Sequence, residues 1–207
     1  MNYHEIYRHY EDCFSEHGDN HKGMDWPNFS DAQTRYSVMQ DVVKFCQKDS
    51  TKSSILDFGC GTGHFLDFLR SRNSDLVYSG CDISQMFIDQ CRVKYPGISF
   101  FQADLLDGTR ISDRYDFVCM NGVFTERRSL SNAEMWKFST ALLSKVFECV
   151  NYGVAVNFMT KNVDWEREDL FHLSLDRITQ FVCKNLSRNY VIRSDYGLFE
   201  YTLYIYV

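Results

Sequence analysis

The chain has 207 residues, of which 44% are hydrophobic and 16% aromatic, and a formal net charge of −6. That length suits one α/β domain with a full core over 1–207, and an acidic balance without a basic stripe argues against a nucleic-acid partner. No apolar run approaches a membrane span, Met1–Glu5 lacks signal-peptide character, and the eight cysteines show neither metal-ligand nor disulfide spacing, so a reduced, cytoplasmic protein without a metal or a membrane partner is expected.

Tyr3, Tyr7, Tyr10 and Phe14 recur at helical spacing. They predict a helix that either packs on the core or covers a ligand. Residues 17–23 form a polar loop whose histidines read as solvated. Ser30-Asp31-Ala32-Gln33 has the form of a capping box, and Val38, Met39, Val42 and Phe45 continue an amphipathic helix. Residues 1–50 are thus read as N-terminal helices and 51–207 as the core, entered through Lys48–Ser53.

Ile55–Phe58 is a short apolar run suited to a buried strand. Gly59, Gly61 and Gly63 punctuate the next loop, and His64–Leu69 reads as a helix. Strand, glycine loop and helix N-terminus together hold nucleotide-like ligands, because the backbone approaches closely and offers free N–H groups. Leu76–Asp82 is a second strand ending in an acid. Ser84 is placed to cap the following helix, with Ile83 and Ile88 as a hydrophobic staple. Pro96-Gly97 turns the chain into Ile98–Gln102, followed by Ala103-Asp104-Leu105. Tyr115–Asn121 is a fourth strand, Ser131–Glu134 a second capping box, and Met135, Phe138, Leu142 and Val146 mark a long helix. Gly153–Met159 is a near-continuously apolar fifth strand, as a strand covered on both faces should be. Residues 160–172 are polar and irregular. Leu175, Ile178, Phe181, Val182 and Leu186 give another helix, and Tyr190–Arg193 with Phe199–Val207 makes a terminal antiparallel pair.

The Gly-x-Gly-x-Gly spacing of Gly59, Gly61 and Gly63, with Asp57 two residues ahead, resembles motif I of the class I S-adenosylmethionine-dependent methyltransferases. Dinucleotide-binding folds use the longer Gly-x-Gly-x-x-Gly and lack the terminal antiparallel pair. The resemblance covers roughly residues 30–207. It implies a doubly wound, mostly parallel seven-stranded sheet with an antiparallel C-terminal strand, helices on both faces and an N-terminal helical extension. It implies S-adenosyl-L-methionine as cofactor, held by Asp57, Gly59, Cys60, Gly61 and Gly63, by Asp82 and Ile83 at the ribose, by Asp104 and Leu105 at the adenine, and by Asn121 near the methyl group. Residues 121–131, 163–165, 169–172 and 195–200 further resemble a group of bacterial methyltransferase-like proteins.

The acceptor is expected to be a small molecule, since the Asn-Pro-Pro-Tyr sequence of amino-group methyltransferases acting on nucleic acid is absent after the fourth strand. The segments following the fourth and fifth strands are expected to meet over the methyl group, with Phe124, Arg127, Arg128 and Trp165 touching substrate. A base is needed only if the acceptor loses a proton, and His172, Glu126 and Asp164 are its candidates. Two alternatives stay open at this point: a cofactor-binding protein without catalysis, and a dinucleotide-dependent oxidoreductase.

Overall fold

The computed structural model describes residues 2–46 and 52–207. Most of the expected entry segment Lys48–Ser53 lies outside the described residues. Helices α1 (His4–His17) and α2 (Phe29–Gln40), with a 3₁₀ turn at Asp41–Phe45, precede strand β1 (Ser54–Phe58). Then follow α3 (His64–Ser71), β2 (Val77–Asp82), α4 (Gln85–Lys94), β3 (Ser99–Gln102), β4 (Tyr115–Met120), α5 (Asn132–Phe147) and β5 (Val150–Thr160). The chain continues through β6 (His172–Leu173), α6 (Leu175–Asn185), β7 (Asn189–Arg193) and β8 (Glu200–Tyr206).

Seven strands lie in the order β3-β2-β1-β4-β5-β8-β7, with β1 to β5 mutually parallel and β8 antiparallel to both its neighbours. An eighth strand, the two-residue β6, was not foreseen. It pairs with β5 beyond the end of β4, through Met159 and Thr160. Alternation along each strand divides the core in two. Leu56, Val118, Val154 and Val156 pack with Met135 and Leu142 of α5 and Ile178 of α6. Ile55, Phe117, Cys119 and Ala155 pack with Tyr36 of α2, Phe65 of α3 and Ile88 of α4 on the opposite face. The sheet is therefore covered on both sides, which explains the unbroken apolar runs.

Among the described residues, side-chain caps fix two of the six α-helix starts. Ser131 and Glu134 form the reciprocal capping box, and the Ser84 hydroxyl accepts from the Phe87 N–H. The capping box expected at Ser30 is corrected: α2 starts two residues earlier, at Phe29, with Asn28 at its cap and no side-chain cap bond. Ser30 instead bonds to Asp31. Gly63 heads α3 at φ 82°, and a Cβ there would lie 2.6 Å from the Tyr95 ring, so the left-handed turn and the close ring both require glycine.

Candidate active site

A cleft of about 1090 Å³, measured out to its mouth, opens at the carboxyl ends of β1 to β4. This is where parallel sheets hold ligands. Asp57, Gly59, Cys60, Gly61, Asp82, Ile83, Asp104, Leu105 and Asn121 all line it. Gly63 does not; it shapes the turn behind.

Asp57 and Asp82 are buried carboxyls with no cationic partner among the described residues. Tyr78 donates to Asp57 Oδ2 at 2.7 Å. Burial nonetheless raises the Asp57 pKa to about 7; the Tyr78 hydroxyl opposes the rise and the nearby Asp82 adds to it. Asp82 accepts the Gly61 and Ser84 N–H groups, each at 2.9 Å, yet burial still lifts it to about 6. Asn121 Oδ1 is buried with no partner among the described residues. The cleft thus offers acceptors that lack strong donors, a costly arrangement unless a ligand supplies them.

The N-terminal segment roofs the cleft with one polar tie to each loop below. The Tyr3 hydroxyl donates to Asp104 Oδ2 at 2.8 Å, while Asp104 Oδ1 accepts Leu106 N–H. Ser84 Oγ donates to Glu11 of α1. Asp19 accepts Thr62 Oγ1 at 2.7 Å, bonds His64 Nε2 at 2.7 Å and pairs with Lys94 at 2.9 Å. The Tyr10 hydroxyl reaches Gly122 O at 3.4 Å. The tyrosine helix both packs on the core, through Ile6, and covers the ligand cleft.

Tyr10 and Trp26 also wall a second cavity of about 1010 Å³, which is polar. Glu126, Asp25, Arg35 and Arg167 line it. Burial, then the charge of Asp25, pushes the Glu126 carboxyl above its ordinary range, and Arg128 Nη1 at 3.3 Å pulls it back. The segments after β4 and β5 do meet, through a Glu126–Leu170 bridge and a Phe171 N–H to Thr125 O bond of 2.7 Å.

They do not form the expected wall over the cleft. His172 is buried in β6, where Nδ1 meets Thr160 O at 2.6 Å and Nε2 accepts the Arg167 N–H at 3.2 Å, so both ring nitrogens are engaged by backbone. Phe124 is a core residue stacked on Phe158 at 5.4 Å. Trp165 is 71% exposed and Asp164 is exposed. Arg127 bonds Leu130 O and Arg128 bonds Glu126; neither lines either of these two cavities. Of these candidates, Glu126 alone lines one of the two cavities. Met24, Trp26 and Arg35 were missed. A sequence signal existed for Arg35, which falls on the buried stripe of α2 with Ala32, Tyr36 and Met39. His9, Cys13 and Asp25 also lie within reach of a common metal ion, but His9 Nε2 and Asp25 Oδ2 stand at 2.8 Å, an ordinary hydrogen bond.

Residues 30–189 match the family model described as a methyltransferase domain. The chain belongs to that family, and is an S-adenosylmethionine-dependent methyltransferase. Rv1506c of Mycobacterium tuberculosis, described as a putative methyltransferase, is 27% identical over 154 residues, 73% of this chain and 92% of that one. A mouse tRNA (carboxymethyluridine(34)-5-O)-methyltransferase is 34% identical over 83 residues, 40% of this chain but 11% of that protein. The fold is shared with magnesium protoporphyrin IX methyltransferase from Synechocystis PCC 6803, at TM-score 0.63 and 17% identity over 100% of this chain and 97% of that one. It is shared equally with the plantazolicin methyltransferase BpumL, at TM-score 0.62 and 14% identity over 99% of this chain and 98% of that one. The cleft suits the methyltransferase cofactor: its unpartnered Asn121 oxygen and uncompensated carboxyls match a ligand with ribose hydroxyls and an ammonium group.

Proposed function

We propose that this methyltransferase acts on a small-molecule acceptor that enters through the polar cavity and meets the cofactor across Tyr10 and Trp26. The shared wall between the two cavities carries this reading. When bound, S-adenosylmethionine supplies a methyl group on a sulfonium, already activated for in-line displacement. Asp82 would hold the two ribose hydroxyls, with Ile83 beside them. The loop Gly59, Cys60, Gly61 and the Asp57 end of β1 would take the amino-acid part. Leu105 would pack on the adenine and Asp104 would face its amino group, sharing its oxygens with Tyr3. Asn121 would accept a donor near the methyl group.

The protein's own task is alignment and exclusion of water, served by the roof of α1 and the following loop. Glu126 is the group placed to take a proton from the acceptor, because its desolvated carboxyl is a stronger base than an exposed one. His172, with both nitrogens engaged, would instead hold the segment after β5 in place.

Transfer from radiolabelled cofactor to a panel of small molecules, set beside total tRNA, tests this reading. Label in small molecules is expected. Label in tRNA with none in the panel would overturn the small-molecule acceptor and favour the substrate class of the mouse relative. S-adenosylhomocysteine should raise the melting temperature, whereas NAD should not.

A further inference from the structure

We propose that the polar cavity contains a subsite for a carboxylate carried by the acceptor, with the Arg35 guanidinium as its anchor. The proposal rests on the reading that this cavity takes the acceptor. Arg35 lines the cavity from α2, its side chain only 10% exposed. Its Nε donates to Glu200 Oε2 at 2.8 Å, and its guanidinium carbon lies 4.4 Å from the centre of the Trp26 ring. Glu200 is fixed from behind: its other oxygen accepts Asn157 Nδ2 at 3.3 Å and the Tyr196 hydroxyl at 3.4 Å. The planar fork is therefore held rigid on two sides. Its Nη1 is left buried with no partner among the described residues.

A buried N–H of a charged group left unpaired is unfavourable, and a planar guanidinium matches a carboxylate better than any other common group. Of the other lining groups, Arg167 is paired with Asp169, Glu126 with Arg128, and Asp25 is hydrogen-bonded to His9, while Lys22, also on the cavity, has no ion-pair partner among the described residues. An acceptor anchored at Arg35 would have Trp26, the ring under that guanidinium, leading it to the cofactor cleft.

Acetate is the probe, titrated at constant ionic strength into protein with and without S-adenosylhomocysteine, with acetamide as its neutral counterpart. Arginine side-chain ¹⁵N–¹H resonances report the contact, and Arg35→Lys assigns the Arg35 signal. The Arg35 resonance should move saturably with acetate and not with acetamide, while those of exposed Arg8 and Arg110 stay put. The rise in melting temperature with acetate should need roughly tenfold more acetate in Arg35→Lys, because an ammonium cannot replace the fork. Should Arg35→Lys fail to fold, Arg35→Gln with Glu200→Gln removes both buried charges together and should abolish the response. No saturable movement of the Arg35 signal, or equal movement of the exposed arginines, overturns the subsite. Equal effects of acetamide overturn its anionic character. Acetate binding without transfer to any small molecule would leave the subsite standing and remove the acceptor reading; transfer without acetate binding would do the reverse.

Discussion

The two cavities share a wall and solve opposite electrostatic problems. In the cleft, Asp57 and Asp82 are buried with no cation beside them among the described residues, and their pKa values rise to about 7 and about 6. In the polar cavity each acid has a mate, and the unsatisfied atom is a donor, Nη1 of Arg35. A protein interior tolerates either imbalance only at a cost in stability. The cleft is thus built to accept hydrogen bonds from its ligand, and the polar cavity to give one.

The largest test of that contrast removes Glu200, the mate of Arg35. Glu200→Ala leaves a buried guanidinium unpaired and should lower unfolding stability by about 3–5 kcal/mol in urea denaturation. The double change Arg35→Gln with Glu200→Gln should recover most of it. If Glu200→Ala is as stable as the parent, the polar cavity is wetter than described.

Next in size, Asp82→Ala should weaken S-adenosylhomocysteine binding by about 1.5–3 kcal/mol by calorimetry, the loss of charged hydrogen bonds to two hydroxyls. An unchanged dissociation constant would remove Asp82 from the ribose.

Asp57 gives a pH signature. A carboxyl whose folded pKa exceeds its unfolded one stabilises the fold below about pH 4, and that contribution is lost as pH climbs through about 7. Asp57→Asn cannot ionise, so its stability should pull ahead of the parent between pH 4 and 7 and stay ahead above. The gain should be about 1–2 kcal/mol, below the full linkage because Tyr78 donates more weakly to an amide. Parallel stability curves for the two proteins across that range would contradict the buried, uncompensated carboxyl.

The smallest effect sharpens the boundary of the site. Trp165→Ala, at 71% exposure, should change stability and methyl transfer little, within about 0.5 kcal/mol. A strong loss of transfer would return the segment after β5 to the acceptor wall.

What the sequence disclosed and what it hid divide along the same line. The succession of strands and helices, the glycine loop, the acids at the ends of β1 and β2 and the caps at Ser84 and Ser131 follow from local periodicity and spacing, while the arrangement of the sheet came from the family resemblance. The polar cavity does not, because Asp25, Trp26 and Arg35 line it about a hundred residues before Glu126. His172 misled for a related reason. A histidine after a polar stretch reads as a rim residue, and nothing local announces that β6 will pair with β5 and bury it. Ser30 misled by two positions, since the cap is Asn28 and Phe29 already belongs to the helix.

The ties of the N-terminal segment to Thr62, Ser84, Asp104 and Gly122 also bear on synthesis. Helix α1 leaves the ribosome well ahead of the loops on which it docks, and so waits with its tyrosine stripe uncovered. Contacts spanning that much sequence form slowly and late. The roof therefore cannot close over all of these loops until Gly122 has emerged, and the contacts of α2 with β8, which span still more sequence, come later.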